Sequence, residues 1–360
     1  MTKQFVLWVL FTAGLFSHQP VLAAPMDELI MATHATPEIE IGYEQVNSTV
    51  DIFKIREKDP LAAGTSLGDY SGAHLTAGIP LLERRAWLEG GLWQRKLNIA
   101  NLGSENARIQ SWSLSGQYRI AAQLGNLPDL ALRLGAWGDA ADSVSKDSPT
   151  TFNTFTVSQL QVVNPRDRQL QGDLVTTWGA GKMSSLSLFA GLGSSAVDFD
   201  LARAFQGGCE YAVTSQSSSQ ILMDTQSPGC DSVLIQNPGP FPAKYNTNNF
   251  RYRANSFHFG GGDTWMNQRW RIRLAYRHEN IRRALDDEIA ASGGLSSKSN
   301  NILTGELGYR LTQGVGLVVR GHYFSRQLNG EIPFTYNALT SDKFNHRYGL
   351  LTTALVFEFE

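Results

Sequence analysis

Twelve stretches of this chain alternate apolar and polar residues with a period of two, and the links between them alternate between tight and long. The last stretch, Arg347 to Glu360 (RYGLLTTALVFEFE), shows the period most cleanly. Phe359, Phe357, Leu355, Thr353, Leu351 and Gly349 form one set; Glu358, Val356, Ala354, Thr352 and Leu350 form the other. A period of two marks a strand. The other stretches run from Glu38 to Val46, Tyr70 to Leu81, Trp87 to Lys96, Ile109 to Ala121, Leu130 to Ala136, Leu170 to Ala180, Leu186 to Phe199, Arg251 to Gly260, Arg269 to Glu279, Ile302 to Leu311 and Val315 to Arg326.

Five links are tight turns, Gly125 to Asp129 and Thr312 to Gly314 among them. Six are long and polar: Lys54 to Asp69, Leu97 to Arg108, Asp139 to Gln169, Asp200 to Phe250, Ile281 to Asn301 and Gln327 to His346. A soluble two-sheet sandwich has no reason to sort its links this way. Alternating Phe in the closing strand resembles the C-terminal assembly signal of bacterial outer-membrane β-barrels, although Glu360 follows the aromatic that usually ends it. The link pattern is similar to theirs too, with short periplasmic turns and long extracellular loops. The expected fold is all-β: one antiparallel transmembrane barrel of twelve strands over residues 38–360. The resemblance implies lipid and lipopolysaccharide around the barrel and recognition of the last strand by the barrel-assembly machinery. Phe152 to Val163 also alternates and precedes a turn at Asn164-Pro165-Arg166-Asp167. Counting it would make the strand number odd, so it is read as a hairpin inside the third long loop.

The start of the chain fits export. Lys3, an apolar run from Phe5 to Phe16, and small residues at Val21-Leu22-Ala23 describe a signal peptide cut after Ala23. Residues 24–37 show no period and are read as an N-terminal periplasmic segment. The net charge of −2 gives no footprint for nucleic acid. Export puts Cys209 and Cys230 in an oxidising compartment, where a pair of cysteines forms a disulfide, here stapling the Asp200 to Phe250 loop. No cofactor or metal site is expected.

A charge facing lipid at mid-bilayer costs about 2–4 kcal/mol, so the alternation sends charged side chains into the lumen. The basic inward set is Arg119, Arg133, Arg269, Arg271, Arg273, Arg277, Arg310, Arg320 and Arg326; the acidic set is Glu38, Glu40, Glu44, Glu89, Asp173, Glu306 and Glu358. Closing the last hairpin about Gln313 pairs residues whose numbers sum to 626, which sets Glu306 opposite Arg320 and Thr304 opposite His322.

Three functions fit. An arginine ladder on the ninth strand would pass small anionic solutes. A lumen closed by salt bridges would leave the long loops to bind a partner. Hydrolysis of lipid or peptide is the third, but no catalytic residues emerge: Gly179 to Ser184 is an incomplete phosphate loop with no helix after it. Ser256 and His258 share a face without being well placed as nucleophile and base.

Overall fold

The computed structural model describes residues 36–46, 69–98, 107–146, 149–153, 155–180, 183–241, 246–291, 294–326, 329–337 and 340–359. The export segment, residues 24–35 and the 47–68 link lie outside the described residues. In order, the strands are β1 (Glu38–Val46), β2 (Asp69–Leu81), β3 (Ala86–Asn98), β4 (Ala107–Ala121) and β5 (Asp129–Ala141). Four short strands follow: β6 (Ser143–Lys146), β7 (Thr150–Phe152), β8 (Phe155–Val157) and β9 (Gln159–Val163). Next come β10 (Arg166–Ala180), β11 (Ser184–Asp198), β12 (Leu201–Gln206), β13 (Cys209–Ser217), β14 (Gln220–Thr225) and β15 (Val233–Gln236). The chain ends with β16 (Tyr252–Met266), β17 (Trp270–Arg283), helix α1 (Ala284–Ala291), β18 (Ser299–Thr312), β19 (Val315–Phe324) and β20 (Tyr348–Glu358).

Twelve of these strands close into one antiparallel barrel in the order β1-β2-β3-β4-β5-β10-β11-β16-β17-β18-β19-β20. The seam pairs β1 with β20, Glu38 opposite Glu358 and Gln45 opposite Leu351. Outside the wall, β15-β14-β13-β12-β9-β6 form a six-stranded sheet, and β7 pairs with β8 in a separate hairpin. Phe152, Val157, Tyr211, Val213, Ile221 and Met223 build the core of this outer unit. Cys209 and Cys230 are bonded to each other within it.

Alternation explains the wall. On β17, Ile272, Leu274 and Tyr276 are exposed outside, while Arg271, Arg273 and Arg277 are buried inside. Leu355 and Phe359 are likewise exposed, and Thr352, Ala354 and Val356 face inward. An apolar outer band around a charged interior is the arrangement of a barrel whose outer solvent is lipid.

Four long links differ from expectation. Asp200 to Phe250 is not a plain loop but carries β12–β15. Phe152 to Val163 does lie outside the wall, but it divides: Phe152 closes the β7–β8 hairpin, whereas β9 joins the sheet against β12 and β6. Arg166 and Asp167 belong to β10 rather than to a turn. The Ile281 link begins with the end of β17 and then α1, and the described part of the Gln327 to His346 link folds into the barrel mouth. At two strand ends, alternation was carried too far. Arg269 precedes β17 and is exposed, and Arg326 follows β19, its backbone N–H donating to Asn300 Oδ1 at 3.0 Å; neither faces the lumen from a strand.

The band makes a direct prediction. Leu274→Arg puts a guanidinium outside near mid-strand and should lower stability by about 2–4 kcal/mol. Guanidinium unfolding of the barrel in lipid vesicles measures it; an unchanged midpoint would place Leu274 outside the bilayer core.

Candidate functional site

Glu306 on β18 is the centre of the lumen. It stands opposite Arg273 on β17 and Arg320 on β19 because both hairpins are in register there. Arg271 donates from Nε and Nη2 to Glu306 Oε1, at 3.0 and 2.7 Å. Arg273 donates from Nε to the same oxygen at 3.0 Å and from Nη2 to Oε2. Arg320 Nε donates to Oε2 at 2.9 Å. One carboxylate thus holds three guanidiniums, all nearly without solvent. Thr304 and His322 also meet as paired, with Oγ1 and Nδ1 3.0 Å apart.

The network continues around the wall. Arg320 reaches Glu40 on β1 at 3.3 Å, and Glu40 accepts from His74 Nε2 on β2 at 2.8 Å. His74 Nδ1 lies 3.5 Å from Glu44, which accepts from Tyr70 Oη at 2.6 Å. Arg95 on β3 bridges Glu44, at 4.0 Å, and Asp139 on β5, at 3.4 Å. A second cluster lies on the other side, where Asp173 accepts from Arg133 Nε at 2.8 Å, from Gln171, and pairs with His258 Nε2. A Cβ at Gly191 would come within 2.6 Å of His258 Nε2, so glycine makes room for this pair. Arg277 pairs with Glu279 at 3.4 Å, and Arg310 with Glu358 at 3.7 Å. Glu38 and Glu89 are buried inside, and Arg119 is half-buried on the inward face of β4.

The arginine ladder of the ninth strand is present on the inward face, and its members are paired. Arg271 and Arg273 share Glu306, and Arg277 has Glu279. The alternation missed Arg95, Asp139 and Glu279. Arg95 and Glu279 sit on the inward register of two of the alternating stretches; Asp139 lies beyond the Leu130 to Ala136 stretch, because β5 runs five residues further, to Ala141.

Above this charged layer the inward residues turn apolar. Tyr70, Leu97, Ile109, Ile302, Phe324 and Tyr348, at the long-link ends of six strands, belong to a collar that grips Ile332, Phe334, Tyr336 and Phe344, together with Leu285 and Ile289 of α1. Polar contacts fix the same stopper. Tyr252 Oη donates to Pro333 O at 2.6 Å, Phe334 N donates to Asp167 Oδ2 at 3.1 Å, and Arg283 Nη2 donates to Asn329 Oδ1 at 2.6 Å. Asn300 Nδ2 donates to Asn329 O at 3.0 Å, and Tyr336 Oη to Asp286 Oδ1 at 2.8 Å, with the Arg283 guanidinium 4.0 Å from the Tyr336 ring. Glu331 points into the charged layer, where burial pushes its carboxyl up to about 8.

No catalytic geometry emerges among the described residues. His258 is fully buried, its Nε2 is taken by Asp173, and its Nδ1 has no partner among the described residues. Gly179 and Ser184 flank a link between two strands, with no helix to open a phosphate site. Among the described residues no group of three or more His, Cys, Asp or Glu could hold a metal ion.

No protein-family model matches the sequence, and no curated protein does. Among solved structures, the translocator domain of the autotransporter NalP from Neisseria meningitidis is similar at 10% identity and a TM-score of 0.48, over 90% of this chain and 89% of that one. An outer membrane channel from Pseudomonas putida F1 is similar at 8% identity and a TM-score of 0.45, over 94% and 100%. The NanC porin is similar at 10% identity and a TM-score of 0.41, over 89% and 99%.

Removing one partner from a buried ion cluster leaves charge uncompensated and costs about 3–5 kcal/mol. Glu306→Gln should therefore destabilise the barrel by about that much, read from denaturant unfolding. Thr304→Val, one step along the same face, removes a neutral hydrogen bond and should cost only about 1–3 kcal/mol.

Proposed function

We propose that this outer-membrane β-barrel is a closed scaffold presenting its outer β-sheet to a partner outside the cell. The observation that carries the reading is the stopper of residues 329–337 and 340–346, held by an apolar collar and by hydrogen bonds with β10, β16, β17 and β18. Most charges of the layer beneath it are tied up in shared ion pairs, which favours a rigid wall over an ion path. The long links that would be spare in a pore instead build a disulfide-bonded sheet with its own core. Between sheet and stopper lies a cleft with about 60 Å³ of free volume, lined by Phe152, Val162, Phe199, Val213, Phe250 and Phe334. It suits an apolar side chain or similarly small group of a partner. In a planar bilayer at neutral pH the purified protein should show no steady conductance. A constant ohmic current would overturn the closed reading in favour of solute passage.

Gated passage of small solutes is the second reading, and Glu331 favours it. An undocked glutamate titrates near ~4.3, whereas the docked one does so at about 8. The docked stopper therefore holds the proton more tightly. This contribution to docking is complete below the ordinary carboxylate range and is lost as pH rises through about 8. Arg95 and Arg277 favour the charged form, while Glu44 and Asp139 oppose it, and burial outweighs them all. Current openings should then be absent at pH 6 and appear above pH 8, and Glu331→Gln should remove that dependence. Silence across the whole range would reject gating by this residue.

A further inference from the structure

On the lipid-facing register of β10, β11 and β16, just above the apolar band, Arg168, Ala196 and Arg253 lie side by side in direct register. Arg282 on β17 is one step away, opposite Asn255. All three arginines are exposed, and none makes an ion pair or side-chain hydrogen bond among the described residues. One row further out, the same wall carries Arg166 and Arg251, and both are paired there. Arg166 lies 2.6 Å from Asp200 and Arg251 2.8 Å from Asp198. The inner row thus has cations without carboxylates. Adjacent strands are about 4.8 Å apart, so Arg168 and Arg253 flank a gap of roughly 10 Å floored by a methyl group.

Below Arg168 and toward β5, the outer face of the wall is grooved. Leu134, Gly172 and Leu192 form one row across β5, β10 and β11, and Ala136, Leu170 and Ser194 form the next. Large and small side chains alternate in both directions, which leaves a shallow depression open to the outside, lined also by Leu88, Leu114 and Gly116. Arg168 precedes Leu170 by two residues on the same face of β10, so groove and cations are continuous.

We propose that this face is a site for a phosphorylated lipid of the outer leaflet, its acyl chains in the groove and its phosphate held by Arg168 and Arg253, with Arg282 beside them. A guanidinium presents a planar fork that matches phosphate oxygens. At the edge of the apolar band, arginine on the lipid face costs little, and like charges two strands apart repel unless an anion sits between them. The proposal rests on the outer-membrane setting and not on the closed-scaffold reading, because the face lies outside the lumen.

The test uses the full-length barrel, purified in a non-ionic detergent and stripped of lipid. It is titrated with diphosphorylated lipid A and with the same lipid after removal of both phosphates, with bound lipid counted by native mass spectrometry. The phosphorylated form should bind at least about tenfold more tightly. R168A/R253A should abolish that preference, and R168K/R253K should keep part of it, because the charge remains and the fork is lost. Gly172→Leu, which fills the groove, should weaken both lipids while preserving their ratio. Unfolding midpoints of the variants in detergent should match that of the unsubstituted protein, since all these side chains point away from the lumen. Equal binding of the two lipids, or an unchanged preference in R168A/R253A, would overturn the proposal. Displacement of the phosphorylated lipid by millimolar inorganic phosphate alone would also count against it, by showing that the groove adds nothing.

Discussion

The contact between Glu306 and the guanidiniums of Arg271, Arg273 and Arg320 fixes the interior of this barrel. A lumen enclosed by twelve strands must be filled by water, by apolar side chains or by compensated charge. Here one carboxylate ties three adjacent strands together, and Arg320 carries the connection past β20 to Glu40 on β1, across the seam. Each ion is buried at a cost and is tolerable only because its partners are in place. The network works against register slips as well. A one-residue shift of β18 would turn Glu306 to lipid and leave three cations behind it.

On top of that layer the chemistry changes within a few residues. The same inward register that carries Arg95 carries Leu97 two positions later, and the one that carries His322 carries Phe324. The collar so formed gives the stopper an apolar seat, and the stopper returns Glu331 to the charged layer below. Closing the mouth and compensating the lumen are therefore coupled through one segment rather than being separate features.

The wall was legible in the sequence because a barrel strand has two faces with opposite solvents, so each stretch states its own facing. The pairing of Glu306 with Arg320 was legible because the short link at Gln313 leaves little freedom of register. The outer sheet was not read, although Ala202 and Ala204, Tyr211 and Val213, and Ile221 and Met223 alternate. Its strands are short, and the Ser, Gln and Asn between them are typical of loops. In the stopper Ile332, Phe334 and Tyr336 alternate over only five residues, too short a run to mark a strand, and with Phe344 they pack from irregular backbone and 3-10 turns. The signal that could have revealed it lay elsewhere: inward positions at strand ends that are aromatic or aliphatic, where water would call for polar groups. The partners of Arg271 and Arg273 could not be read from facing alone, because facing places a charge in the lumen without saying which neighbour it meets.

The outer sheet draws β6 and β9 from the link after β5, and β12–β15 from the link after β11, with two wall strands between them in the chain. Neither link contains the sheet alone. Its two contributions meet in the pairing of β9 with β12, and the β10–β11 hairpin lies between these two strands in the chain. The β9–β12 junction is in this sense tied to the wall: a chain in which β10 and β11 paired elsewhere would carry the parts of this sheet without the join.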